Sequence, residues 1–195
     1  MLSDLVDRDA VRVDCRLSGP IRQRGSGYLH RAICEWPVVS PEPLTKDGWE
    51  IDGCPVNGPA ISSNGNNVAV AWFTAADDDK PQVQVLMSSD AGKTFGKKVR
   101  IDGGNPVGHV DVASLATGAA VVSWIERTGQ GSRVHLRQVG ANGVAGSPVN
   151  VSGTAGARSG GFPRMKRSGN EVVIAWTDAG ETSRVLTAVV SVPGQ

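Results

Sequence analysis

The sequence predicts an all-β chain built from repeats, and three observations carry that expectation. An apolar run ending in tryptophan recurs at residues 67–72, 119–124 and 171–176, so that Trp72, Trp124 and Trp176 stand 52 residues apart. The 195 residues include 25 Gly and 11 Pro, a composition that favours short strands joined by turns within one domain of ordinary size. No stretch of useful length carries a helical period. A strand-rich repeat near fifty residues suits a four-stranded unit better than a helical solenoid.

Residues 1–40 lack this texture. They hold six arginines (Arg8, Arg12, Arg16, Arg22, Arg24 and Arg31), no lysine and the single tyrosine, Tyr28, with little two-residue alternation. Val11 and Val13 are fit to begin a strand, which Gly19-Pro20 and Gly25-Ser26-Gly27 would interrupt. Two readings stand equal: an ordinary irregular N-terminal segment, or a non-native one, read out of frame or mis-started, whose true upstream part is missing. The three cysteines, Cys15, Cys34 and Cys54, have no CxxC spacing, so no metal is expected. Each reads as an idle or buried thiol, and only a Cys15–Cys34 pair is kept open.

Pro41-Glu42-Pro43-Leu44 and Asp47-Gly48-Trp49 read as an outer strand and a turn that end a unit. Repeats then occupy about 53–104, 105–156 and 157–195. In each, a short strand precedes a turn at Asn64-Gly65-Asn66, Thr117-Gly118 or Ser168-Gly169-Asn170, and the tryptophan strand follows. A third strand is expected at 82–87, 133–139 and 184–190, and a fourth only at 98–102 and 148–151.

Between the third and fourth strands of the first repeat lies Ser88-Ser89-Asp90-Ala91-Gly92-Lys93-Thr94-Phe95. Ser88 and Asp90 can bond the backbone of a tight turn, Gly92 offers a positive φ, and Thr94 and Phe95 restart a strand. The pattern Ser-x-Asp-x-Gly-x-Thr-Phe resembles the Asp-box of the sialidase-like β-propellers, in one full copy. The resemblance covers residues 41–195 and implies a partial β-propeller of about three four-stranded blades, similar to the C-terminal half of a six-bladed ring. It further implies that Ser88, Asp90, Gly92, Thr94 and Phe95 are structural and lie on the face away from an active site. Three such blades do not close a ring, which predicts open strand edges and self-association through them.

Strand direction alternates within a unit, so the loops from second to third strand and the links between units share the opposite face, where a polar mouth is expected. Fifteen residues before each repeated Trp stand Asn57, His109 and Gly161; thirteen before stand Pro59, Asp111 and Pro163; twelve before stand Ala60, Val112 and Arg164. Two after come Thr74, Glu126 and Asp178. Asn57, His109, Asp111, Glu126, Asp178, Arg158 and Arg164 are therefore the ligand-binding candidates. His109 and Asp111 could act as an acid and base pair, although neighbours two apart on a strand are common. Glu126 beside Arg127 reads most simply as a surface pair. Asp77-Asp78-Asp79 lacks an alternating calcium-ligand pattern and reads as a solvated loop. Arg164 stands above the rest, because a guanidinium on an innermost strand offers a fork for a carboxylate, with Arg158 in support.

A sialidase, as a family, grips its substrate with three arginines and uses an Asp acid/base and a Tyr nucleophile activated by a Glu. Residues 41–195 contain no Tyr, and Tyr28 lies at the wrong end. The expectation is therefore a non-catalytic module that binds a glycan or protein, or a fragment of one, with no cofactor. The alternative is an exo-sialidase-like glycoside hydrolase whose catalytic residues lie partly in a missing N-terminal half. A net charge of +1 and a pI of about 7.8 argue against nucleic acid as a partner. No apolar run is long enough to span a membrane, and no export signal is recognisable, which leaves the native compartment of a longer parent open, secreted or periplasmic included.

Overall fold

The computed structural model describes residues 14–22, 28–35, 43–45, 47–50, 56–77, 80–129, 131–154, 161–179 and 181–192. Among them there is no helix, and hence none long and apolar enough to cross a membrane. The chain forms two compact units, residues 1–46 and 47–195. The first contains a hairpin of β1 (Asp14–Arg22) and β2 (Tyr28–Glu35), in which Cys15 and Cys34 are register partners. Its strand β1 passes through Gly19-Pro20, where the sequence suggested a break. A register shift between Ser18 and Ile21 takes up the two residues, as a bulge does for a proline that cannot donate to the ladder.

The second unit consists of three antiparallel sheets. The first sheet orders β3 (Ala60–Asn64), β4 (Asn67–Asp77), β5 (Lys80–Ser88) and β6 (Val99–Arg100) side by side. The middle sheet does the same with β7 (Pro106–Ser114), β8 (Ala120–Thr128), β9 (Gly131–Val139) and β10 (Val149–Thr154). The third holds β11 (Arg164–Ser168), β12 (Glu171–Ala179) and β13 (Ser183–Ser191). No sheet closes on itself. Gly65 and Gly169 supply the positive φ, +59° at each, that two-residue hairpin turns need at their first central position.

Register corrects one alignment drawn from spacing. Ala60 pairs with Ala71, Asp111 with Ser123 and Arg164 with Ala175, so Asp111, not Val112, stands in line with Ala60 and Arg164. The cause is one additional residue in the turn between β7 and β8, where Ser114 pairs with Ala120, against Ser63 with Val68 and Arg167 with Val172.

Two apolar clusters hold the sheets together. Ala69, Ala71, Val83 and Val85 of the first sheet meet Val110, Val112, Val122 and Trp124 of the middle one. The other face of the middle sheet, with Ala113, Val121, Ile125 and Val134, meets Met165, Val172, Ile174 and Trp176 of the third. The middle sheet is thus covered on both faces, and β8 is buried from Ala120 through Glu126. Its strand reads as a continuous apolar run for that reason.

The stretch from Ser88 is a self-bonded turn. Ser88 Oγ donates to Asp90 Oδ1 at 2.7 Å and accepts from Gly92 N at 3.0 Å, while Thr94 donates its N–H and its hydroxyl to the two Asp90 oxygens at 2.9 and 2.7 Å. Gly92 has φ +82°, and Ala91 shares the left-handed region at +60°. Ala91 N donates to Asn66 O at 2.8 Å, which joins this turn to the β3–β4 turn at one end of the sheet.

Candidate functional site

The opposite end of the sheets collects most of the residues singled out by spacing, and most of their polar atoms are engaged by the fold. Asn57 Nδ2 donates to Val107 O at 3.0 Å and its Oδ1 accepts His109 N at 2.9 Å. Gly108, at φ +97°, permits this approach, since a Cβ there would lie 2.5 Å from Asn57 Oδ1. His109 is itself left-handed, at φ +54°, and buried. Its Nδ1 lies 2.8 Å from the Gly161 carbonyl and therefore carries the proton of that bond, and its ring stacks on Phe162 at 4.2 Å. Asn57, His109 and Gly161 are repeat equivalents, so the Asn57 and His109 side chains each clasp the backbone of their counterpart in the next repeat.

Asp111 works in the same way. Its Oδ1 accepts the N–H of Val112 at 2.9 Å, and its Oδ2 accepts that of Met165, on β11, at 2.7 Å. No hydrogen bond joins it to His109; the two side chains engage different partners. Ser62 and Ser114 add a further clasp, with Ser114 N on Ser62 Oγ at 3.0 Å and Ser114 Oγ on Ser62 O at 2.9 Å.

Glu126 is not the surface residue that its neighbour Arg127 suggested. It is buried, with Oε2 accepting Trp124 Nε1 at 2.8 Å and Gly103 N at 3.1 Å, and Oε1 accepting Asn105 N at 3.1 Å. The carboxylate thus ties the repeated indole to the link entering the middle sheet. Its equivalent Asp178 pairs with Arg184 at 3.2 Å on a more exposed strand. Trp72 takes its acceptor elsewhere, from Asp47 Oδ2 at 2.7 Å, while Trp176 Nε1 is buried without a partner. Arg158, Cys54, Asp78 and Asp79 lie outside the described residues.

A groove of about 890 Å³ lies open across the inner strands β3, β7 and β11. Asp111 and Arg164 both line it, and Ser62, Asn64, Ser114 and Lys166 contribute hydroxyl, amide and ammonium groups. Spacing identified Arg164 but passed over Lys166 and the Phe162 stack. Lys166 could have been found as the second outward residue of the same short strand. Since both Asp111 oxygens already accept N–H groups, the groups it leaves for a ligand are mainly cations and neutral donors. No protein-family model matches the chain, and a search of curated proteins finds no match.

Proposed function

We propose that the chain is part of an Asp-box propeller of the sialidase-like kind, acting as a non-catalytic module that binds an acidic glycan along its inner strands. One observation carries this reading: Arg164 and Lys166 line the groove and, among the described residues, neither is held by an ion pair or hydrogen bond. Two such cations beside serine hydroxyls and an asparagine amide match a carboxylated, hydroxyl-rich ligand, with the guanidinium able to bind the carboxylate in two-pronged fashion. The Ser88 to Phe95 pattern, its self-bonded turn and the 52-residue repeat support the propeller part of the reading. The absence of Tyr from residues 41–195 favours binding over sialidase catalysis.

Glycan-array binding by the 195-residue chain tests it. Carboxylated glycans should be retained over their neutral counterparts, and Arg164→Ala should weaken them about tenfold or more, the value of one charge-assisted hydrogen bond. Turnover of a fluorogenic sialoside, abolished by Arg164→Ala, would replace this reading with the hydrolase. Binding that ignores both the carboxylate and Arg164 would refute it.

A further inference from the structure

The two cations of the groove belong to an exposed row that begins two residues before Arg164. From Phe162 to Lys166 exposure alternates: Phe162, Arg164 and Lys166 are exposed, while Pro163 and Met165 are buried. Pro163 extends that alternation beyond the first residue of β11, because a residue that precedes proline is kept extended. Phe162 therefore stands on the same side of the chain as Arg164, roughly 7 Å from it at the rise of an extended strand. The ring is 44% exposed.

It is also backed on one side. Its ring centre lies 4.2 Å from that of His109, with the two planes 22° from parallel, so the exposed area belongs to the other face and the rim. His109 is fixed from two directions. Asn57 accepts its backbone N–H, and the carbonyl of Gly161, the residue next to Phe162, lies on its Nδ1. Its backbone is left-handed within β7, where the register shifts between Gly108 and Asp111. Among the described residues other than glycine only Ala91 shares that conformation, and Ala91 belongs to the Ser88 turn. A left-handed His is costly and persists where surrounding bonds over-determine it. The bonds to Asn57 and Gly161 do so here, and they leave a rigid support beneath Phe162.

We infer that Phe162 is a stacking platform for a pyranose ring, seated beside the carboxylated sugar that Arg164 holds. An aromatic face without donor or acceptor takes the C–H face of a sugar, and it does so best where every ring hydroxyl is equatorial, as in a glucose unit. A platform already backed by His109 loses little freedom when the sugar arrives. The assignment, which rests on the acidic-glycan reading, narrows the ligand to a glycan in which a uronate adjoins a glucose-type unit.

NMR titration of the full chain with two probes tests it: glucuronate alone, and glucuronate β-linked to glucose. Phe162→Ala should weaken the disaccharide about fivefold and leave glucuronate unchanged, whereas Arg164→Ala should weaken both. Phe162→Trp enlarges the platform and should bind the disaccharide at least as tightly as the parent. The glucose C–H signals should move upfield in the complex with the parent chain, through the ring current of Phe162, and not in that with Phe162→Ala. Near-UV circular dichroism checks that each variant folds. Should Phe162→Ala fail, Phe162→Leu takes its place, since it keeps apolar bulk without a flat face. Disaccharide binding that needs Arg164 but ignores Phe162→Ala would overturn the platform and leave the acidic-glycan reading intact. So would failure of both probes while other carboxylated glycans are retained. Failure of every carboxylated glycan would overturn the two together.

Discussion

Trp124 donates its indole N–H to Glu126 at 2.8 Å, inside a contact that no solvent reaches. The same carboxylate receives the N–H groups of Gly103 and Asn105. Glu126→Ala would orphan the buried indole, while the two exposed backbone groups recover water. Chemical denaturation should show a loss of about 1–3 kcal/mol, the cost of one buried unsatisfied donor. Glu126→Gln keeps an acceptor for the indole and should lose less.

Trp176, 52 residues on, has no such acceptor. Its replacement by Phe removes an N–H that is already unsatisfied, whereas Trp124→Phe gives up a good bond. Urea unfolding should therefore show Trp176→Phe tolerated better than Trp124→Phe, by about 1–3 kcal/mol. Asp178→Glu tests the same point from the other side, since the longer side chain matches the one that reaches Trp124. A gain of about 1 kcal/mol is expected.

The Asp90 carboxyl sits at about 2, below its ordinary 3.8, because the Thr94 hydroxyl and N–H and the Ser88 hydroxyl all donate to the charged form. Thr94→Ala removes the largest of these and should raise the value towards 3.8 in an NMR titration. A depressed carboxylate stabilises the fold above the unfolded value and loses that contribution as pH falls through about 2. Acid unfolding of Thr94→Ala should accordingly set in at higher pH than that of the parent.

His135 stacks on Trp124 at 5.4 Å, with its Nε2 buried and unpartnered. Burial holds its pKa below the ordinary 6.5, against the opposing pull of Glu126. The neutral ring therefore supports folding above the unfolded value, and that support declines as pH falls below 6.5 towards the lower folded value. His135→Phe retains the stack and cannot titrate. Its urea midpoint should vary less than the parent's between about pH 7.5 and about pH 5.

Much of this molecule can be read from residue order. The three Trp strands, their glycine turns and the third strands lie where alternation and spacing predict, and the third repeat has no fourth strand among the described residues. The turn chemistry of Ser88, Asp90, Gly92 and Thr94 is equally local: the side-chain bonds among these four residues span four residues or fewer. The candidate site was less legible. Spacing marks Asn57, His109 and Asp111 as ligand groups, yet each is bonded to backbone about fifty residues away in the next repeat, and Asp111 to its neighbour Val112 as well. Glu126 was masked by Arg127, its neighbour in sequence, whose side chain lies on the other side of the strand. Its position two residues after a repeated Trp was the available signal.

The sequence by itself determined the strands, the turns and the 52-residue period, because alternation, glycine placement and short polar side chains act over a few residues. Only the tertiary structure decided what those equivalent positions became. One added residue in the β7–β8 turn brought Asp111 into line with Arg164, and the fold set Glu126 against the buried indole of Trp124 while Asp178 paired with Arg184 and left Trp176 without an acceptor. Val83, Val134 and Val185 are the same residue on the same strand of the repeat, and they differ because burial depends on whether another sheet lies against that face.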